Sequence, residues 1–309
     1  MPLPPPDPAY TDSGISVWRE LQLQLQHLPL KDFLYPEPLL LIDELANDKT
    51  GYQRREEIGL RLDQLNDPRR GVGLDDAGLP EIAWIAVPAG EVGLEVTLGG
   101  WAAPTESVRI QPFRLARYPI TWIQYRAFLD AKDGYRNPRW WDTGLKPNDP
   151  PHLSEQVWAF QNYPAVGMDW TEAMAYCRWL SAKLGLYIRL PTEGEWQFAA
   201  VGNTTQKYPW KDGWRAARAN SLESQIRRTQ AVGMYPKGRN LLGLDDMAGN
   251  VAEWCLRDNK FGDDRNSSRA ARGGSWRDPP KDLRASRRVY VTGGENYSCM
   301  CGFRIASRL

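Results

Sequence analysis

A thiolate is the side chain best able to hold a redox metal or attack a substrate, so the cysteines are taken first. There are four, Cys177, Cys255, Cys299 and Cys301. Cys299 and Cys301 stand one residue apart, which is not a zinc-site spacing. Cys177 falls on the apolar face of a helical stretch, where a thiol acts as a small buried hydrophobe. The other concentrated chemistry is guanidinium: Arg265, Arg269, Arg272, Arg277, Arg284, Arg287 and Arg288 crowd the carboxy-terminal part. Such density could meet a polyanion. Against that, 39 Lys and Arg balance 38 Asp and Glu, a net charge of +1. Solvated arginines and partly buried ion pairs are the plainer reading, and nucleic acid is not an expected partner.

These arginines lie in and around a stretch bounded by Arg272-Gly273-Gly274-Ser275-Trp276 and by Gly302-Phe303-Arg304. Residues 277–301 between them follow neither the two-residue period of a strand nor the 3.6-residue period of a helix. Side chains without such a period suit a surface rather than a core, and the bounding motifs suggest a surface held rigidly.

What positions that stretch can be read from the amino terminus onward. Residues 1–12 are Pro-rich and read as a disordered or extended tail. Residues 13–70 form a helical appendage, with helices expected over Ser16–Leu28, Pro38–Ala46 and Thr50–Leu65. In the last of these, Ile58, Leu62 and Leu65 face inward, and Arg54, Arg55, Glu56 and Glu57 lie on the wet side. So small a unit buries little alone and should dock on the rest of the chain or on a protein partner. A strand is expected over Ile82–Pro88 with Val92–Leu98 as its hairpin partner, then strands at Val108–Ile110 and Pro112–Ala116. Thr121 caps a helix ending near Ala131, with Ile123, Tyr125, Phe128 and Leu129 inward. Asp169 and Glu172 form a capping box for a helix that ends at Gly185, burying Ala173, Tyr176, Cys177 and Leu180. Thr192 and Glu195 open a short helix over Trp196–Ala200. From Gly202 to Gly274 the chain reads as loop, and its 14 tryptophans are the means of stabilising so irregular a core. No apolar run reaches membrane-spanning length and Met1-Pro2-Leu3-Pro4-Pro5-Pro6 lacks a signal-peptide core, so a soluble cytoplasmic protein without a membrane partner is expected.

Five ordered segments carry a resemblance: Tyr187–Trp196, Gly243–Cys255, Arg272–Trp276, Leu283–Arg287 and Gly302–Arg304. Together they resemble the formylglycine-generating-enzyme (sulfatase-modifying factor) family. The resemblance implies an α+β, C-type-lectin-like fold over residues 82–309, loop-rich, with short antiparallel strands and two main helices behind the helical appendage. Oxidases of that family hold copper with two cysteines after the Gly-Gly-Ser motif; here those positions are Asp278 and Leu283, neither a thiolate ligand. An iron-dependent branch needs three histidines, and this chain has two, His27 and His152. Neither copper nor iron is therefore expected. The resemblance also implies a structural calcium site at the Asp246 and Glu253 carboxylates and the Gly249 and Val251 carbonyls. The alternative is that these carboxylates only cap backbone amides.

Within the family the layout is similar to the variable proteins of diversity-generating retroelements, whose final segment is diversified at adenines in its codons and lines a ligand-binding face. The residue types at Val289–Thr292 and Asn296–Cys299 are reachable from asparagine-type codons by adenine changes. The face implied is Arg277, Asp278, Pro279, Asp282, Arg287, Val289, Tyr290, Val291, Thr292, Asn296, Tyr297, Ser298 and Met300, meeting a macromolecular or small ligand. Trp276, Arg284 and Arg304 are assigned to structure. Tyr, Ser, Asn and Arg suit such a face because they offer area and adaptable hydrogen bonds on loops the core does not need. A non-catalytic ligand-binding protein is the leading expectation. A degenerate copper- or iron-type oxidase and a regulatory interaction module are the alternatives.

Overall fold

The computed structural model describes residues 37–47, 49–94, 97–98, 101–102, 106–142, 147, 156, 159–256, 269–291 and 301–309 of the chain. The tail 1–12, the helix expected over Ser16–Leu28, His27, His152, Thr292, Asn296, Tyr297, Ser298, Cys299 and Met300 lie outside the described residues.

Two helices open the described chain, α1 (Glu37–Leu45) and α2 (Tyr52–Gln64). The α2 stripe of Ile58 and Leu62 is fully buried against Tyr163, Ala231, Met234 and Tyr235, so the helix docks on the following domain. Gly59 permits the close approach: a Cβ there would stand 2.9 Å from that of Ala231. Arg55 and Glu56 are not on the wet side as expected but buried. Arg55 donates to the Met234 carbonyl at 2.5 Å, and Glu56 accepts from Arg228 Nε at 2.5 Å. Helix periodicity marks an inward stripe but cannot show that a second face is also covered.

The chain then lays down β1 (Trp84–Val87), β2 (Gly90–Leu94), β3 (Thr97–Leu98), β4 (Trp101–Ala102), β5 (Glu106–Ile110) and β6 (Phe113–Ala116). The expected hairpin of the first strand with Val92–Leu98 does not form. β1 pairs antiparallel with β6, Trp84 opposite Ala116, and β2 pairs with β5, Val92 opposite Val108. Following are α3 (Trp122–Asp130), α4 (Trp170–Leu184), β7 (Ile188–Arg189) and α5 (Glu193–Val201). α5 explains the pairing, because it packs on the β2–β5 ribbon: Gln197 Nε2 donates to the Gly93 carbonyl at 2.9 Å, and the Phe198 ring fills the space a Gly90 Cβ would need.

The last strands are β8 (Ala252–Trp254), β9 (Arg269–Arg272), β10 (Arg288–Val291), β11 (Cys301–Gly302) and β12 (Ala306–Arg308). They complete two four-stranded sheets, ordered β1-β6-β12-β7 and β10-β9-β8-β11. β12 lies between β6 and β7, so the end of the chain is locked into the sheet begun at Trp84. In the second sheet β9 and β10 are antiparallel, while β11 runs parallel to β8.

The two expected capping boxes are present at Asp169/Glu172 and Thr192/Glu195, the Thr121 cap is completed into a third by Gln124, and Gly185 ends α4 with φ +65°. On α3, Tyr125 and Phe128 are buried as expected, whereas Ile123 and Leu129 are only half-buried and Trp122 and Gln124 take the deeper places. The α4 stripe of Ala173, Tyr176, Cys177 and Leu180 is fully buried. Phe303 sits against it, its ring centroid 5.3 Å from Tyr176 in an edge-to-face arrangement. Such pairs add roughly 0.5–1.5 kcal/mol beyond the area they bury.

Candidate functional site

The Gly-Gly-Ser turn is forced by its backbone. Gly273 and Gly274 take φ of +87° and +65°, and a Cβ on Gly274 would stand 2.6 Å from the Leu283 side chain. Leu283 is therefore not an empty copper-ligand position. It is fully buried and plugs the space beneath the turn. Asp278 folds back: its Oδ2 accepts from Ser275 N at 2.7 Å and Ser275 Oγ at 2.8 Å. This carboxylate closes the turn that carries it and stays half-buried there.

The rest of the expected face separates into two sets. Arg277 and Arg287 are exposed, with Arg277 lying over the Trp276 ring and Arg287 paired with the half-buried Asp282 at 3.3 Å. Pro279 is half-buried at the start of a 3₁₀ turn over Pro280–Asp282. Val289 is a different case: it belongs to β10 and packs against the main core. Tyr290 and Val291 continue that strand. Residues 277–301 are thus not uniformly irregular, for Leu283 and Ala285 anchor them and β10 extends a sheet. Arg284 secures the turn locally, donating to the Lys281 carbonyl at 2.7 Å, and Trp276 is half-buried with its amide bonded to the Asn250 carbonyl.

Beside this loop stands an aromatic group that the sequence did not single out. Tyr208 and Trp210 stack at 5.6 Å with Trp214 tilted against both, and Leu283 packs in the same cluster. Tyr208 Oη donates to the Pro280 carbonyl, and Leu222 N to the Asp278 carbonyl. Leu222 itself is 54% exposed. The clustering of Tyr208, Trp210 and Trp214 in an otherwise polar loop was the available signal.

Two buried arginines hold the ends of the segment. Arg304 spends all five N–H groups: on both Glu253 oxygens (2.6 and 2.7 Å) and on the Ala116, Arg117 and Asp245 carbonyls. Trp196 Nε1 donates to the same Glu253 at 2.6 Å. Arg272 reaches Glu193, Gln197 and the Ala285 carbonyl, and Arg288 of β10 also donates to Glu193.

The residues implied for calcium each have partners within the protein. Glu253 is neutralised by a buried guanidinium, and Asp246 Oδ2 accepts from Gly233 N at 2.6 Å. Gly249 takes φ +78°, and its carbonyl accepts from Val251 N. Among the described residues no group of three or more His, Cys, Asp or Glu is placed to hold a metal ion. As arranged, both carboxylates and the Gly249 carbonyl are hydrogen-bonded within the protein. Burial, reinforced by the adjacent Asp245, pushes the Asp246 carboxyl up to about 7. Burial likewise drives the Cys177 and Cys255 thiols far up, so both are neutral packing groups, and Cys301 is buried as well.

No helix among the described residues is long and apolar enough to cross a membrane. A hercynine oxygenase of Mycolicibacterium smegmatis is 31% identical over 60% of this chain and 50% of that protein, so the chain spans half the length of this relative. An inactive C-alpha-formylglycine-generating enzyme 2 of Bos taurus is 28% identical over 66% of this chain and 80% of that protein. Among solved structures, Treponema denticola variable protein 1 shares the fold at a TM-score of 0.53 and 23% identity, covering 74% of this chain and 96% of that one. The model of the sulfatase-modifying factor enzyme 1-like domain matches residues 76–309, and with its sheets, caps and anchoring motifs in place the chain belongs to that family.

Proposed function

We propose that this chain is a non-catalytic ligand-binding protein that presents the loop after Gly274, with Arg277 and Arg287 outermost, as its recognition surface. One observation carries the reading. Where the oxidases it resembles hold copper with cysteines, Asp278 is turned inward to Ser275 and Leu283 is buried. The positions that would do chemistry instead fix the loop, and a fixed root with charged, exposed tips is what a binding loop requires. Leu222, exposed and bonded through its N–H to the Asp278 carbonyl, adds apolar area beside the loop. The finer reading, a retroelement variable protein, is supported by the shared fold of the Treponema protein and by the Tyr, Asn, Ser and Arg content of 277–301.

Copper titration with an oxygen electrode tests the coarse reading: neither tight copper binding nor thiol-dependent oxygen uptake is expected, and turnover would overturn it. A near-copy of the final coding segment beside a reverse-transcriptase gene tests the finer one, and its absence removes that reading alone. The resemblance to hercynine oxygenases favours an iron enzyme as the competing assignment. Iron loading followed by an assay for sulfoxide formation decides it, with no product expected from a chain of two histidines.

A further inference from the structure

The loop after Gly274 is fastened to an earlier one, residues 207–223, by three hydrogen bonds. Ala285 N donates to the Lys207 carbonyl at 2.8 Å, Tyr208 Oη to the Pro280 carbonyl at 3.0 Å and Leu222 N to the Asp278 carbonyl at 3.1 Å. Residues 207–223 and 277–287 are thus one stitched unit. They carry eight lysines and arginines against four carboxylates, in a chain whose net charge is only +1. Three of those carboxylates are already engaged. Asp278 accepts from Ser275, Asp282 pairs with Arg287, and Glu223 accepts from Trp214 Nε1 at 2.8 Å. Asp212 stands exposed at a turn with φ +73°.

The second observation is that two of the cations are held in place without a counter-charge. Arg284 donates through Nε to the Lys281 carbonyl at 2.7 Å, while its two terminal nitrogens have no acceptor among the described residues. The Arg277 guanidinium lies 4.9 Å from the Trp276 ring centroid and has no ion pair among the described residues. Elsewhere the scaffold treats guanidinium differently: Arg117, Arg189 and Arg239 meet carboxylates at 2.7, 2.6 and 3.0 Å. A guanidinium already oriented can take an incoming carboxylate with little further loss of side-chain freedom.

Two polyanions could meet such a surface, and the aromatic rings choose between them. A single-stranded nucleic acid needs open ring faces on which its bases can stack. Here Tyr208 and Trp210 are buried and stacked on each other, and Arg277 covers Trp276. The apolar group left open is Leu222, which is an aliphatic contact rather than a stacking platform. Carboxylates accompanied by an apolar side chain are peptide chemistry. Resting on the recognition reading above, we propose that these two loops bind an acidic peptide segment of a protein partner. Arg277 and Arg284 take its carboxylates, and Leu222 takes an apolar side chain.

Selection of a phage-displayed library of short random peptides on the full chain tests this. The enriched peptides should be rich in Asp and Glu and carry an apolar residue. In fluorescence anisotropy the leading peptide should lose about tenfold in affinity as salt rises from about 50 to about 300 mM. Arg277→Gln combined with Arg284→Gln should weaken it by about tenfold or more at an unchanged melting temperature. Lys132→Gln, at an exposed cation outside these loops, should not weaken it. Neutral or basic winners that still lose affinity in the double variant would overturn the acidic assignment and leave the recognition surface standing. Acidic winners that bind the double variant as tightly as wild type would move the site off these loops and overturn the proposal. Tighter binding of oligothymidylate than of any selected peptide would make the partner a nucleic acid instead. No enrichment over an uncoated support would also overturn it, with the non-catalytic reading still decided separately by the copper and oxygen measurements.

Discussion

The two motif arginines, Arg272 and Arg304, are both fully buried and both paired with glutamate, yet they do different work. Arg304 and Glu253 form a closed unit: neither side chain is exposed, and every guanidinium N–H has an acceptor within the scaffold. Arg272 shares Glu193 with Arg288, and that glutamate keeps 13% side-chain exposure. One pair locks the scaffold to itself. The other fastens β10 to the scaffold through a partner that solvent can reach.

The sharpest way to break the comparison is to remove each guanidinium. Arg304→Met leaves a buried carboxylate unpaired and should cost about 3–5 kcal/mol of stability in urea unfolding. Adding Glu253→Gln, which keeps an acceptor for Trp196, should recover part of that loss in a double-mutant cycle. Arg272→Met should cost less, since Glu193 retains Arg288 and a path to water. Equal losses would erase the distinction.

A second prediction concerns Asp246, which lies next to the Asp245 carbonyl that Arg304 grips. Its folded pKa, about 7, is raised above the ordinary 3.8, so between those values the folded state holds a proton that the unfolded state has released. Stability from this group is therefore complete at low pH and is lost as pH rises through 7. Asp246→Asn keeps an acceptor for Gly233 N and should flatten the profile. Wild type minus variant should fall by roughly 2–4 kcal/mol between pH 4 and 8. A difference that rises with pH would contradict this.

What could be read beforehand divides along the same line. The helix ends were legible because a capping box is a local signal: Asp169 with Glu172 and Thr192 with Glu195 each close within one turn. The family motifs likewise marked the anchors. The partners of those anchors were not legible. Glu253 and Arg304 lie 51 residues apart, and nothing near either names the other. The β1–β6 pairing skips the nearer β2 because α5, far later in the chain, covers the β2–β5 ribbon. β10 was missed because Arg288–Val291 has no alternation long enough to show as a strand. Asp278 was read by its position in a motif, whereas its role is set by a contact with Ser275.

Arg288→Ala tests the looser pair from the side of the segment. Glu193 keeps Arg272, so the scaffold should lose only about 1–2 kcal/mol. The amides of β10 should nevertheless exchange with deuterium faster than those of β8, since the lost bond fastened that strand alone. Uniformly faster exchange in both strands would mean that Arg288 belongs to the global core and that the attachment is not separable.

The smallest effect expected is that of calcium. An ion that binds only the folded state raises stability by RT ln(1 + [L]/Kd), about 2.7 kcal/mol at a hundredfold excess over Kd. With Glu253 held by Arg304 and Asp246 bonded to Gly233, millimolar calcium or a chelator should leave the melting temperature within about 1 °C. Were calcium to take the Glu253 carboxylate, Arg304 would lose its counter-charge, and Arg304→Met would become far less damaging in the presence of the ion. Running the two variables together therefore separates a closed ion pair from a metal loop: the cost of Arg304→Met should be the same with and without calcium.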